Sequence, residues 1–433
     1  MRDRSVVFVY LSGGASQIET FNPNMDEPAP YRSLTGEVPT SVPGLTFGGT
    51  FPRLAKHANR LAVIKSFRHP VGDHDRAHVH VLSGGTDPRG DTKQGRSIGS
   101  LYSRFRGANH PRTGMPTYAL LTEHEIDGQY RSERSRVSKG SWPGDLGAGF
   151  APFVHDGFWS PEGKKKESRR KFKSTGSVAA DMELSISPSR LGARRELLAG
   201  LDRLRHRLDI EGFAATQKFQ ELAIDLVLGS ASRAFDLSNE DPKLLERYDT
   251  RAISIGHKVF RPSTLGHQML LARRLCEQGC GFVTVHSAGW DMHADANNPP
   301  MVKGMNMLGT TLDQALSTFL EDVKDRGLSD KILLVVTGDF GRTPKINKNG
   351  GRDHWANLCP LLFADGGLQT GGSVGRSNLQ NSEPASTAIS PRQMMGTILH
   401  SLFDMGELRV ARGFSRDVLA MAEDMPVIEE IMA

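Results

Sequence analysis

Hydrophobic residues along the chain fall into short uninterrupted runs, separated by longer segments in which they recur every three or four positions. Short runs rich in Val, Ile and Leu are typical of strands that are buried on both faces of a sheet. Six such runs are predicted strands: residues 5–11, 61–66, 117–122, 281–286, 331–337 and 358–364.

The segments between these runs carry helical spacing. Apolar residues three and four positions apart form one stripe over residues 308–323, and a second pattern covers residues 191–208. Ser390, Pro391 and Gln393 have the order of an N-cap, a first and a third helical residue, which predicts a helix beginning there. Strands that alternate with helices predict an α/β fold with a mostly parallel central sheet and helices on both faces.

Two long segments depart from this alternation. Residues 123–188 are rich in Gly, Pro, Ser and basic side chains and lose all periodicity, so we expect a long irregular insertion over one edge of the sheet. Residues 190–279 are nearly all helical in pattern, which predicts a helical layer between the N-terminal and C-terminal strands.

Composition excludes several classes of protein. With 38% hydrophobic and 24% charged residues, the chain is neither disordered nor fibrous. Its apolar runs fall far short of the ~20 residues that cross a bilayer, so no transmembrane segment is expected. Lys and Arg exceed Asp and Glu by 54 to 49, and the basic run 164–173 is typical of a solvated loop. Nucleic acid is therefore not an expected partner.

The cysteines and the first residues of the chain indicate in which cellular compartment the protein is expected. Cys276, Cys280 and Cys359 are odd in number and lack zinc-site spacing, so we expect buried free thiols. The chain enters an apolar run directly after its first five residues, which leaves no room for a signal segment. Either a cytoplasmic protein or an exported one whose signal lies outside this sequence is expected.

Asp and His concentrate after the predicted strands. Ligands of open α/β sheets bind beyond the carboxyl ends of the strands, so these positions are candidates for a site. The residues are His69, Asp73, His74, Asp75, His78, His80, His286, Asp291, His293, Asp339, Asp353 and His354. A single His in a loop more often serves as a cap or a hydrogen-bond partner. The whole set favours a divalent ion, with zinc, manganese or calcium as candidates.

Four ordered motifs resemble one bacterial family. They are residues 11–16 with 21–23, Gly-Trp-Asp-Met-His at 289–293, Gly-Asp-Phe-Gly-Arg-Thr-Pro at 338–344 and Gly-Arg-Asp-His-Trp at 351–355. Together they resemble the domain-of-unknown-function family 1501, which is described as sulfatase-like and placed in the alkaline phosphatase superfamily. The resemblance implies one alkaline-phosphatase-like domain over residues 1–433 that acts on phosphate or sulfate esters with one or two metals. It also implies an exported protein, periplasmic or extracellular, since members commonly carry a twin-arginine signal.

The same resemblance suggests roles for individual residues. Asp291 and His293 look like the ligand pair of one metal, His354 looks like the late ligand, and Asp339 looks like the Asp of the second-metal motif. His74 aligns with the position of the superfamily nucleophile.

Several departures from the superfamily pattern limit what carries over. Gly13 and Gly14 stand where an acidic ligand is usual, and Phe340 replaces the His that normally follows Asp339, so the second metal lacks two of its usual ligands. The signature of a Cys or Ser followed by Pro and Arg at fixed spacing is absent, and all three Cys lie beyond residue 275, which excludes a formylglycine sulfatase.

Two mechanisms are open for a hydrolase. A metal held by Asp291, His293 and His354 could lower the pKa of a water, so that hydroxide attacks the ester. Alternatively, His74 could be the nucleophile and form a phospho-imidazole. Arg342 and Arg352 could clamp the anionic group, although a surface ion pair explains either Arg equally well.

Parallel strands also predict where His74 lies. Strands 61–66, 281–286 and 331–337 should be parallel, so their carboxyl ends meet at one edge of the sheet. We therefore expect the His74 ring within roughly 8 Å of the Asp291 and His354 side chains, a reach that suits ligation or attack.

Two Gly-x-Ser-x-Gly segments, at 95–99 and 371–375, fit the nucleophile-elbow pattern. Neither follows a predicted strand directly, so a serine hydrolase is not expected. The sequence favours a metal-dependent hydrolase of a small anionic ester or of a sulfated or phosphorylated glycan. The alternative is a degenerate, non-catalytic relative that binds such glycans, which the missing Ser, Thr or Cys nucleophile supports. The oligomeric state is not predicted.

Overall fold

Fully buried strands build the centre of the molecule. The computed structural model describes residues 2–87, 95–122, 130–155, 233–411, 413–414, 416–423 and 425–432. Its strands are β1 (Ser5–Leu11), β2 (Glu37–Pro39), β3 (Thr46–Gly48), β4 (Leu61–Ile64), β5 (Tyr118–Leu121), β6 (Phe153–His155), β7 (Ser254–Ile255), β8 (Arg261–Pro262), β9 (Phe282–Ser287), β10 (Ile332–Gly338), β11 (Gly341–Arg342), β12 (His354–Trp355), β13 (Leu361–Asp365) and β14 (Gly372–Val374).

Eight of these strands form one sheet in the order β14-β4-β13-β10-β1-β9-β5-β6. β1 pairs in parallel with both β9 and β10, and Val9 lies level with Val285 and Val336. β13 is antiparallel to β10 and to β4, so β4 runs in the same direction as β10. The predicted mostly parallel sheet is confirmed, and β4, β9 and β10 end at the same edge.

Helices cover both faces of this sheet. They are α1 (His74–Leu82), α2 (Ile98–Arg106), α3 (Arg131–Gly140), α4 (Pro242–Tyr248), α5 (Leu265–Glu277), α6 (Met301–Gly304), α7 (Thr310–Asp325), α8 (Pro391–Leu402), α9 (Met405–Arg409) and α10 (Arg416–Glu423). A π-helical turn, Met305–Gly309, joins α6 to α7. Among the described residues, no helix is long and apolar enough to cross a bilayer.

Strand alternation divides the core into two clusters. Val7 and Val9 of β1 point to one face, where they belong to the same buried cluster as Leu316 of α7. Phe8 of β1 points to the other face and shares its cluster with Ile398 of α8. Because successive strand residues point to opposite faces, a strand covered on both sides has to be apolar throughout. This explains the uninterrupted apolar runs of the sequence.

The two atypical segments are only partly described. Within the predicted insertion 123–188, residues 130–155 contain α3 and the edge strand β6. The sequence did not predict α3 because few of its residues are buried and Val137 is its one large buried apolar residue, so no apolar stripe is visible. In the predicted helical layer 190–279, α4 and α5 are present with the small ribbon of β7 and β8. The pattern at 191–208 and the basic run 164–173 lie outside the described residues.

Local signals at helix ends agree with the structure. Ser390 and Gln393 form the predicted capping box at the start of α8. All three cysteines are buried and free, as expected.

Candidate metal centre

The strand ends bring the predicted site residues together. His74 is the first residue of α1, Asp291 follows β9, and Asp339 follows β10 directly. Nε2 of His74 lies 3.5 Å from Oδ2 of Asp291, and the rings of His74 and His354 have centroids 4.3 Å apart. The expected proximity of His74 to Asp291 and His354 is confirmed.

Two imidazole nitrogens converge on one carboxylate oxygen. Nε2 of His293 is 2.9 Å from Oδ1 of Asp291, and Nε2 of His354 is 3.4 Å from the same oxygen. The two Nε2 atoms are themselves 2.9 Å apart. The three side chains are partly exposed, at 17% for Asp291, 20% for His293 and 28% for His354, so solvent reaches the position they share.

The opposite ring nitrogens indicate which tautomer each histidine adopts. Nδ1 of His293 lies 2.9 Å from Oδ1 of Asp353, and Nδ1 of His354 lies 3.2 Å from the carbonyl oxygen of Gly72. A carboxylate and a carbonyl only accept hydrogen bonds, so both Nδ1 atoms carry the proton. In the neutral rings, both Nε2 atoms then present lone pairs to each other and to Asp291, and Nη1 of Arg342 lies 3.3 Å from Nε2 of His293 as a donor. The lone pair of His354 and the carboxylate of Asp291 still face the same position, which a proton or a divalent metal would fit.

Burial and charge shift the ionisation of this group. Burial opposes the charge of Asp291, but Arg342 and the three surrounding histidines outweigh it and hold the pKa of Asp291 far below its usual range. Burial also lowers the pKa of His74, but Asp339 and Asp291 dominate and raise it to about 9. The site is therefore built around ionised carboxylates, which are the form that binds a cation.

Arg342 is fully buried and holds the site together. Its Nη2 atom donates to Oδ1 of Asp291 at 2.5 Å and to the carbonyl oxygen of Gly13, and its Nε atom donates to the carbonyl oxygen of Gly14 at 2.8 Å. Gly13 has φ +103°, and a Cβ there would lie 2.6 Å from the backbone nitrogen of Asp291. Only glycine allows this approach.

Arg352 is directed elsewhere. Its guanidinium is fully buried, donates from Nη2 to Oε1 of Glu19 at 3.0 Å, and also donates to the carbonyl oxygens of Arg32, Thr343 and Pro344. These are contacts of a buried structural ion pair. The clamp role expected for Arg352 stays a prediction that none of these contacts supports.

A second group of polar residues lies beneath His74. Nδ1 of His74 is 2.5 Å from Oδ2 of Asp339, and Oδ1 of Asp339 accepts from the backbone N–H of Gly13 at 3.0 Å. His78 lies one turn further along α1, with its Nε2 atom 2.5 Å from Oγ of Ser12. Burial lowers the pKa of His78 to about 4, so this ring is neutral.

The sequence did not single out the roles of Asp353, Ser12 and Phe340. Asp353 was visible as an acid directly before His354, but its pairing with His293 depends on the fold. Phe340 was noted only as a departure. Its ring packs against both His74 and His354, with centroids 4.7 and 4.4 Å away.

The two Gly-x-Ser-x-Gly segments are not nucleophile elbows. Ser97 is buried and caps α2, accepting from the backbone N–H of Ser100 at 3.1 Å. Ser373 lies on the edge strand β14. Ser373 thus lies inside a strand and not on a strand-to-helix turn, and the oxygen of Ser97 is engaged in capping, so neither hydroxyl is presented as an elbow nucleophile would be.

Comparison with known proteins identifies the family. Residues 3–427 match the family described as Protein of unknown function (DUF1501). The chain belongs to this family. The family predicted from the four motifs is therefore confirmed. Among curated proteins, none matches the chain.

Three solved structures that are similar to this chain bear the names of enzymes. The lipoteichoic acid synthase LtaP from Listeria monocytogenes is 12% identical, with a TM-score of 0.41 over 96% of this chain and 76% of that chain. The alkaline phosphatase from the Antarctic bacterium TAB5 is 12% identical, with a TM-score of 0.34 over 85% and 94%. The PsFucS1 sulfatase from Pseudoalteromonas sp. is 11% identical, with a TM-score of 0.35 over 88% and 66%.

Proposed function

We propose that this DUF1501 protein is a metal-dependent hydrolase of phosphate or sulfate esters. The observation that carries the proposal is the convergence of Nε2 of His293, Nε2 of His354 and Oδ1 of Asp291 on one solvent-accessible position. Two imidazoles and a carboxylate favour zinc or manganese, because calcium prefers a shell of oxygen ligands. A bound divalent ion would polarise the ester and activate water for attack.

The surrounding residues prepare the ligands for this task. Asp353 and the Gly72 carbonyl fix the tautomers of His293 and His354, so that both rings offer Nε2. Arg342 holds Asp291 in place and keeps it ionised. Because Arg342 already donates to four oxygens, three of the backbone and one of Asp291, we assign it to positioning Asp291 and the turn at Gly13 before any contact with substrate.

His74 is the candidate for direct attack. Its Nδ1 atom faces Asp339, so Nε2 is the nitrogen available on the side of Asp291. In one route, Nε2 of His74 first gives up its proton to solvent, because a pKa of about 9 leaves the ring charged at neutral pH. The nitrogen then attacks the phosphorus or sulfur atom, the alkoxide of the ester departs and takes up a proton, and water cleaves the bond to nitrogen. In the other, water attacks directly, and His74 orients the anionic ester. Both routes need the same three ligands.

Assays of the metal-free protein reconstituted with zinc, manganese or calcium would test the proposal. Aryl phosphate and aryl sulfate are suitable probes, since their leaving groups are good and easily detected. Turnover should depend on metal and disappear in Asp291→Ala, whereas Asp295→Ala, an exposed acid of the same segment, should be unaffected. Metal binding without turnover of either ester would favour the non-catalytic, glycan-binding alternative. An acid-labile phosphoprotein in quenched reactions would identify the His74 route.

We also propose a class of substrate from the charge of the site and a cellular location from the family resemblance. A small anionic ester or a sulfated or phosphorylated glycan would match a site that holds a cation at its surface. The domain would span residues 1–433 and function outside the cytoplasm, as the family resemblance implies.

A further inference from the structure

Two groups of metal-binding side chains meet at His74. The outer group is His74, Asp291 and His354, and the inner group is His74, His78 and Asp339. In each group, one ligand atom per residue lies within 4.8 Å of the others. Since the superfamily resemblance implies one or two metals, the inner group is where a second ion would be expected.

Two of the three residues of the inner group are sealed from solvent. The side chains of His78 and Asp339 have no exposed surface, whereas that of His354 is 28% exposed. Divalent ions in proteins take at least four ligands, and water normally completes an incomplete shell. An ion in the inner group would have three protein donors, and since only His74, at 12% exposure, borders solvent, little water could reach it to complete its shell.

The donor atoms of the inner group are also already engaged. Nδ1 of His78 donates to the carbonyl oxygen of His74 at 2.7 Å, and its Nε2 atom faces the hydroxyl of Ser12 at 2.5 Å. Both oxygens of Asp339 have partners, the backbone N–H of Gly13 and Nδ1 of His74. An ion could enter only by breaking several buried hydrogen bonds, each of which costs about 1 to 3 kcal/mol when a group is left without a partner.

Phe340 and Arg342 complete the exclusion. Phe340 is fully buried and places an apolar ring against His74 and His354, where it offers no ligand. Arg342 is fully buried too and brings a fixed positive charge to Asp291. Because this guanidinium contacts the outer ligands Asp291 and His293, one divalent ion bound there would already leave this edge of the sheet strongly positive, and a second ion nearby would add further repulsion.

We propose that the protein binds one divalent ion per chain at the outer site, which we define as Asp291, His293 and His354 with His74 beside it, and that Asp339, His78 and Ser12 form a hydrogen-bonded support for His74. Asp339 is then a positioning residue that turns Nε2 of His74 toward the ion. This departs from the ligand role that the resemblance suggests for Asp339. The inference rests on the proposed function for the existence of the outer ion.

Native mass spectrometry of the metal-free protein titrated with zinc or manganese tests the inference. The wild-type protein should take up one ion. Asp339→Asn, which keeps the size of the side chain and one acceptor oxygen, should also take up one ion, with the dissociation constant raised less than about 10-fold. Asp291→Ala should take up none. Circular dichroism provides the control for folding of each variant.

The possible failures are distinct. Two ions in the wild-type protein, falling to one in Asp339→Asn, would overturn the inference, and so would one ion that survives in Asp291→Ala but not in Asp339→Asn. No ion in the wild-type protein would instead contradict the proposed function. The wild-type count decides the question even where Asp339→Asn does not fold.

A nuclear magnetic resonance signal distinguishes whether Asp339 orients His74 through a hydrogen bond or only packs against it. In the wild-type protein, the Nδ1 proton of His74 should resonate far downfield because of its short contact with Asp339. Asp339→Asn should lose this signal while the ion count stays at one. Persistence of the signal in Asp339→Asn would contradict the role assigned to Asp339.

Discussion

The ring of Phe340 packs against the ring of His74, with centroids 4.7 Å apart and planes inclined by 35°. The same ring contacts His354, so one apolar side chain fixes two residues of the site from below. We expect Phe340→Ala to cost about 3 to 5 kcal/mol of unfolding free energy, as large cavities do, and to weaken metal binding. Urea denaturation and metal titration measure the two effects. Phe340→Leu, which refills most of the space, should recover most of both, and equal losses in the two variants would argue against a packing role.

Loss of a ligand should strip the ion from the outer site. Asp291→Ala removes the carboxylate shared by both histidines, and His354→Ala removes one of the converging Nε2 atoms. Elemental analysis of protein purified without chelator should find the metal absent or strongly reduced in both variants. Unchanged metal content in both would mean that the site is wrongly placed.

Asp353 should influence the metal through His293. Its Oδ1 atom holds the Nδ1 proton of His293, and the carboxylate is 59% exposed. We expect Asp353→Ala to weaken metal affinity by about 10-fold, at the low end of the effect of such partners because solvent screens this one. Asp353→Asn keeps an acceptor oxygen and should lose less. Calorimetric titration compares the two with Asp295→Ala, and an Asp353→Ala affinity equal to that of this control would refute the prediction.

A histidine remote from the site should make stability depend on pH. Burial, reinforced by Arg251, lowers the pKa of His267 to about 4 from 6.5. The folded protein keeps this ring neutral while the unfolded chain binds a proton below about pH 6.5, so stability is fully present above that pH and falls as pH drops to 4. At about 1.4 kcal/mol per pH unit, the loss is about 3 kcal/mol. Urea denaturation of metal-free protein should show a shallower loss for His267→Gln, and parallel pH profiles would contradict the assignment.

The cysteines should be dispensable for activity. Cys276, Cys280 and Cys359 are buried, and burial raises the thiol pKa of each, so none carries a reactive thiolate. We expect each single Cys→Ser variant to keep the wild-type rate of ester turnover, with some loss of stability from the buried hydroxyl. Loss of turnover in a variant whose circular dichroism is unchanged would show that the thiol has a role.

The strands of the sheet centre could be predicted because burial on both faces demands unbroken apolar runs. β1 agrees with its predicted bounds, and β10 differs by one residue at each end. The edge strands β6 and β14 were missed, because each is short and partly exposed and leaves no apolar run in the sequence.

For the site, the sequence predicted which residues gather at the strand ends but not what each contacts. Parallel strands place His74 and Asp291 at one edge whatever their side chains do. His354 precedes β13 and reaches the same edge because β13 is antiparallel to β10, which the predicted mostly parallel sheet did not specify. Whether Arg342 and Arg352 face the site depends on burial and on distant partners such as Glu19, which lies 333 positions from Arg352 along the chain. Tertiary contacts of that separation have no local signature.

The ligands of the outer site come from two segments, the loop after β9 that carries Asp291 and His293 and the short strand β12 that begins with His354. An ion held between them would act as a removable cross-link in the native state and would be absent from the unfolded chain. Free metal concentration would then set the melting temperature, with about 2.7 kcal/mol gained at a hundredfold excess over the dissociation constant. The physiological ion would reveal itself by the largest upward shift in melting, even with no substrate known.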